Sequence, residues 1–215
     1  MRLSQEPTEN TATPRRDRLR ERIVDAAERV IAEKGLPGLK AREVAGAAGC
    51  ALGAIYTVFA DLDDVILRVG ARTLARLEKE LSAPGEGDAL KRLALAYLAF
   101  ARREEPSWRA LFGHRLPLGT PLPDWFATER DRLFDLLEAP LSVLLPGRAA
   151  NEVRREARTL FSAVHGIVAL GLEEKLGESA DASLETELTK FIATFSRGLT
   201  AVNADKACQE ARARE

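Results

Sequence analysis

The side chains best able to do chemistry are few and scattered in this chain. His114 and His165 are the only histidines, and Cys50 and Cys208 the only cysteines. A zinc or other transition-metal site needs three or four ligands in suitable geometry, and no Cys or His cluster accompanies either histidine. Nucleophile motifs and phosphate-cradling glycine loops are also absent from the sequence. No catalytic residue, metal or cofactor is therefore expected. Each histidine has two other readings. It is a hydrogen-bonded core residue, or it is a polar contact for a small molecule held among aromatic rings.

A second kind of chemistry lies in the charged residues. From Arg15 to Arg42 there are nine basic residues (Arg15, Arg16, Arg18, Arg20, Arg22, Arg29, Lys34, Lys40, Arg42) against five acids (Asp17, Glu21, Asp25, Glu28, Glu33). The whole chain carries a net charge of -1, which argues against coating nucleic acid through bulk charge. The local excess suits a limited contact with phosphate, or a solvated helix face.

The segment from Ala41 to Phe59 has what two short, steeply crossing helices require. Val44 and Ala48 lie one turn apart and can bury inward, while Ala45 is small enough to admit a second helix. Gly49 stands where a tight turn needs positive φ, a conformation that costs glycine nothing sterically. Cys50, Ile55 and Val58 then point back into the same small core. Such a pattern marks a helix-turn-helix spanning Lys40 to Phe59.

The elements around it are helical throughout. Leu19, Ile23, Ala26, Ala27, Val30 and Ile31 recur at helical spacing between Arg15 and Lys34, and Gly35 with Pro37 supplies the stop. Asp61 can cap a long helix from Asp63 to about Leu81, and Ser82 to Asp88 form a turn. Helices follow over Leu90–Arg103 and from Pro106, with Leu116 to Pro123 as a proline-rich loop. Asp124 is expected to cap a helix that Pro140 kinks or breaks. Two long helices, roughly Ala149–Lys175 and Leu184–Val202, complete an all-α fold of about nine helices. Residues 1–14 are expected to be a disordered tail and residues 205–215 a charged one.

The 215 residues, 46% of them hydrophobic, suffice for one or two cored domains. No run approaches the ~18 apolar residues of a membrane span, the first residues lack a secretory apolar stretch, and two distant cysteines do not make a disulfide scaffold. A cytoplasmic protein with no membrane partner is expected.

From Arg22 through AAERVIAEKG, REVAGAAG and GAIYTVF to Asp64 the chain resembles the TetR family of bacterial regulators, with the Tyr-x-x-Phe signature at Tyr56 and Phe59. WRALFGHRLP, PLPDWF and AVHGIVAL resemble that family's Trp–His-Gly type of C-terminal domain. The resemblance implies a DNA-binding domain over residues 15–62 and a ligand-binding, dimerising domain over 63–204. In the first, Ala41–Ala48 is the supporting helix and Leu52–Val58 the recognition helix in the major groove. Its DNA-contacting positions are Lys40, Arg42, Ala51, Leu52, Ala54, Tyr56 and Thr57. Ala51 stands where the family commonly has a capping Ser, and Val58 and Leu62 where a His and a Lys commonly touch phosphate. Lys40 and Arg42 can replace part of that charge.

For the second domain the resemblance implies a pocket, placed among Trp108, Phe112, His114, Trp125, Phe126, Phe134, Phe161 and His165, for a small apolar or weakly polar ligand. The two final helices are expected to pair with their symmetry mates as a homodimer. Val164, Val168, Phe191, Phe195 and Leu199 lie on stripes too apolar to remain in water. The function implied is a repressor that binds an inverted-repeat operator in double-stranded DNA and is released by a small molecule. Two alternatives stay open: a helical interaction protein with a weakened DNA-binding head, and an all-α enzyme using a histidine as base beside Glu173 or Glu174.

Overall fold

The computed structural model describes residues 12–173 and 181–212, with side chains for 14–173 and 184–204. Its described residues form nine α-helices, one 3-10 turn and no strand: α1 (Ala12–Lys34), the turn Leu36–Gly38, α2 (Ala41–Ala48), α3 (Leu52–Ile55), α4 (Leu62–Leu81), α5 (Ala89–Arg103), α6 (Glu105–Gly113), α7 (Asp124–Leu144), α8 (Ala150–Leu172) and α9 (Asp181–Arg212). Among the described helices none is long and apolar enough to cross a membrane.

Local chemistry sets most boundaries. Asp61 Oδ1 accepts the Asp64 amide at 2.8 Å, and Asp88 Oδ1 accepts the Lys91 amide at 3.1 Å, so each carboxylate satisfies an otherwise unpaired first-turn N–H. At α7 the expected cap moves by one residue. Pro123 is the N-cap and forms no side-chain hydrogen bond, which puts Asp124 in the first turn, where its charge favours the helix dipole.

Three expectations are corrected or narrowed. Of the kink or break expected at Pro140, the break does not occur, and α7 continues to Leu144. A proline costs its helix one amide donor and crowds one turn, and here Leu141 just beyond it is fully buried, so packing holds the last turn in place. The helix after the turn of the helix-turn-helix ends at Ile55 rather than Val58. Tyr56, Thr57 and Val58 are poor helix formers, and the Thr57 hydroxyl bonds the Ala54 carbonyl at 2.7 Å, so the chain continues as hydrogen-bonded turns. Helical structure also extends further than expected at both ends, from Ala12 and to Arg212. The remainder of the first tail, and the side chains of the last one with Cys208, lie outside the described residues.

By internal contacts the chain divides into two units. Residues 1–72 and 106–121 make the first, and residues 73–105 and 122–215 the second, so the division by packing falls inside α4 rather than at its start. The reason is that Val65 and Val69 belong to the core of the first unit with Ile23, Ile31, Val44, Ile55 and Phe59. Ile23, Ile31, Val44 and Ile55 are fully buried, each contributing about 1.5–3 kcal/mol of burial. Arg72 reaches three acids of α1, Glu21 at 2.5 Å, Asp25 at 2.7 Å and Glu28 at 3.1 Å. In the second unit α5 packs on α9 and α7 on α8, around buried Leu98, Phe100, Leu141, Leu160, Leu188 and Ile192.

Candidate nucleic-acid interface and aromatic cluster

The helix-turn-helix is built from the inside outward. Val44, Ala45 and Ala48 of α2 and Ile55 and Val58 beyond the turn are buried in the core of the first unit. Gly49 has φ 62 and ψ 43, the left-handed conformation. The Cys50 amide donates to the Ala45 carbonyl at 3.0 Å and the Gly49 amide to Gly46 at 3.1 Å, which closes the end of α2 and reverses the chain.

α1 braces this turn with two arginines. Arg22 Nη2 donates to the Ala48 carbonyl at 2.6 Å and to the Gly49 carbonyl at 3.2 Å. Arg29 Nη2 donates to the Ala47 carbonyl at 3.2 Å. The last carbonyls of any helix lack intrahelical partners, and a guanidinium there also meets the negative end of the dipole. Lys34 Nζ bonds Glu43 Oε2 at 2.5 Å. That hydrogen bond and the attraction behind it raise the Lys34 pKa and lower that of Glu43.

With the inner face fixed, the outer face follows. Leu52 and Tyr56 are 43% and 52% exposed, flanking the fully buried Ile55. Ala51 and Thr57 are exposed and Ala54 half-buried. Lys40 and Arg42 at the start of α2 are exposed as well. Neither α2 nor α3 has a side-chain cap at its amino end, so backbone amides there are free for an outside acceptor. All seven residues assigned to DNA contact therefore lie in one unit, on the helix-turn-helix.

The residues assigned to a ligand pocket are divided between the two units. Trp108, Phe112 and His114 group with the first unit, while Trp125, Phe126, Phe134, Phe161 and His165 belong to the second. Trp108 is buried and its ring meets Phe112 at 5.9 Å. His114 Nε2 lies 3.4 Å from Asp63 Oδ1. These three extend from α6, which packs with the head because Ala110 enters its core.

In the second unit Phe161 is the hub. Its ring meets Phe134 at 5.6 Å, Tyr97 at 5.7 Å and His165 at 5.8 Å. Tyr97 Oη and His165 Nδ1 are 2.7 Å apart. Burial lowers the His165 pKa below its ordinary value, which favours the neutral ring. The neutral ring makes this bond in either tautomer, accepting from the phenol at Nδ1 when its proton is on Nε2 and donating to the phenol oxygen when its proton is on Nδ1. Tyr97 was not among the expected pocket residues. Its partner is 68 residues distant, and no local spacing signals such a pair. Trp125 and Phe126 contact each other at 5.6 Å, and Phe126 is buried.

The apolar stripes assigned to a dimer divide differently from the expectation. Val164 and Val168 are 6% and 0% exposed, covered by the chain's own helices, and are corrected to core. Phe191, Phe195 and Leu199 are half-buried, with the two phenyl rings 6.1 Å apart. Leu170 and Val202 add exposed apolar surface.

Two family models match the chain. One, described as bacterial regulatory proteins of the tetR family, covers residues 23–69. The other, described as the tetracyclin repressor-like C-terminal domain, covers residues 90–191. No protein of curated function matches. Among solved structures, a protein of unknown function from Rhodococcus sp. RHA1 is 21% identical over 92% of this chain and 100% of its own, with a TM-score of 0.66. A tetR-family transcriptional regulator from Streptomyces coelicolor is 18% identical over 91% of this chain and 88% of its own, with a TM-score of 0.67. A multidrug-binding protein, EbrR, complexed with imidazole, is 25% identical over 86% of this chain and 96% of its own, with a TM-score of 0.56. With matches to both halves of the family's architecture, the chain belongs to the TetR family of transcriptional regulators and carries its helix-turn-helix DNA-binding domain.

Proposed function

We propose that the protein is a dimeric repressor that binds an inverted-repeat operator in double-stranded DNA and is released by a small apolar or weakly polar molecule. The observation that carries this reading is the exposure of Leu52 and Tyr56 on either side of a buried Ile55, with the turn behind them braced by Arg22. Large side chains held outward at the two ends of a short helix, Leu52 at its start and Tyr56 just past its end, suit contact with thymine methyls and the sugar-phosphate edge. Lys40 and Arg42 neutralise phosphates, Leu52, Ala54 and Thr57 face the base edges, Tyr56 leans toward phosphate, and Ala51 lets the helix start approach closely.

A single helix this short covers too few bases for useful specificity, which favours a two-fold dimer and a dyad-symmetric site. Phe191, Phe195 and Leu199 supply the apolar surface for it. Release is assigned to the second unit, where Tyr97, Phe134, Phe161 and His165 combine ring surface with sparse polar groups. The relative complexed with imidazole supports this assignment. A ligand acts on DNA only through a difference in affinity between two arrangements of the recognition helices.

The test is a gel shift of the full chain with DNA from upstream of its own coding sequence, at moderate salt. A retarded band competed away by that DNA and not by unrelated duplex is expected. Equal competition by both would count against specific regulation and favour an interaction protein with a vestigial head.

A further inference from the structure

An open groove of about 800 Å³ runs along the first turns of α1 in the first unit, walled by Arg15, Arg16, Arg18 and Arg22 on one side and Thr57 and Val58 on the other. Arg15, Arg18, Leu19 and Arg22 are spaced three, four and seven residues apart, so they form one stripe down the helix. Arg22 is held by the carbonyls of Ala48 and Gly49, which fixes the inner end of the stripe against the turn. Arg15, Arg16 and Arg18 are exposed and meet no carboxylate among the described residues. Three unpaired guanidiniums side by side repel one another, and an anion relieves that repulsion.

Two features identify the anion. The groove is far roomier than one free phosphate or sulfate requires, and it is open to solvent, as suits a chain of phosphates rather than one enclosed ion. Arg15 to Arg22 rise about 10 Å along the helix, which matches about three steps of a DNA strand at 3.4 Å per nucleotide along the axis. The opposite wall includes Thr57, two residues beyond α3, so the groove is continuous with the surface already assigned to DNA.

We infer that this groove is a second DNA contact, in which Arg15, Arg16 and Arg18 bind backbone phosphates flanking the bases read by α3. The inference rests on the DNA-binding reading and adds to it a footprint reaching beyond the helix-turn-helix. The contact carries no base information, so it adds affinity and salt dependence without changing which sequence is chosen.

The experiment measures affinity against salt for the full chain on a duplex recovered from a random-sequence pool. It compares wild type, R15Q/R18Q, and R130Q/R132Q, which removes the same charge from α7. Two lost phosphate contacts lower the slope of log affinity against log salt by about two units, so R15Q/R18Q should show that drop. The α7 variant and the selected sequence should be unchanged. A wild-type slope in R15Q/R18Q, with wild type still bound, overturns the groove contact and leaves the DNA-binding reading standing. An equal drop in both variants also overturns it, because net charge alone would then explain the effect. Wild type binding no duplex at all overturns both.

Discussion

Arg22 of α1 closes the end of α2 by donating to the Ala48 carbonyl across 2.6 Å, twenty-six residues away in the chain. That bond couples the brace helix to the turn that aims α3, so the orientation of the DNA-facing surface depends on a residue outside the helix-turn-helix.

Arg22→Ala should lower unfolding stability by about 1–2 kcal/mol, since it strips a charged donor from two carbonyls near the end of α2. Gly49→Ala should cost a comparable amount, because its φ of 62 puts any Cβ in strain of about 1–2 kcal/mol. Chemical denaturation checks both. Wild-type midpoints would show that the brace and the left-handed turn contribute nothing.

Arg42→Ala and Tyr56→Ala should weaken DNA binding with the helical signal and the denaturation midpoint unchanged, as both side chains are exposed. The Arg42 variant should also lose about one unit of salt slope. Fluorescence anisotropy over a salt series measures this, and full affinity in both variants would remove these residues from the contact.

His165 predicts how stability varies with pH. Burial sets its folded pKa below the ordinary 6.5, so the unfolded chain takes up the proton first. The stabilisation from keeping the ring neutral is complete above 6.5 and declines as pH falls from there through the folded pKa. His165→Phe should flatten that part of the stability–pH curve. Tyr97→Phe leaves Nδ1 without its 2.7 Å partner and should cost about 1 kcal/mol near neutral pH. Identical pH curves for His165→Phe and wild type would refute the assignment.

The head was legible in the sequence because its constraints are local. Val44, Ala48, Gly49, Ile55 and Val58 sit within one short stretch, and their spacing alone implies a small core and a left-handed turn. Where α3 ends was not legible, since the Thr57 hydroxyl competes for the Ala54 carbonyl and periodicity cannot register that. The second unit was less legible. Val164 and Val168 have the same apolar period whether they face a partner or their own core, and only the neighbouring helices decide. That α6, with Trp108 and Phe112, packs in the first unit was not legible either, because sequence proximity cannot assign it to one unit or the other.

Phe195→Asp should convert the protein to a monomer at micromolar concentration, because a carboxylate at this half-buried position of α9 cannot be buried cheaply in an apolar interface. Sedimentation velocity reads this directly. A monomeric wild type, or a variant that still dimerises, would relocate the interface away from Phe191, Phe195 and Leu199.

The most direct test of the account is selection of bound duplexes from a random-sequence pool by the full chain. Enrichment of an inverted repeat is predicted, with half-site centres about one helical turn or a multiple of it apart. The Tyr56→Ala chain, exposed to the same pool, should enrich it weakly or not at all. A pool that stays random under the wild-type chain, or converges on a site without dyad symmetry, would contradict a dimer reading DNA through α3.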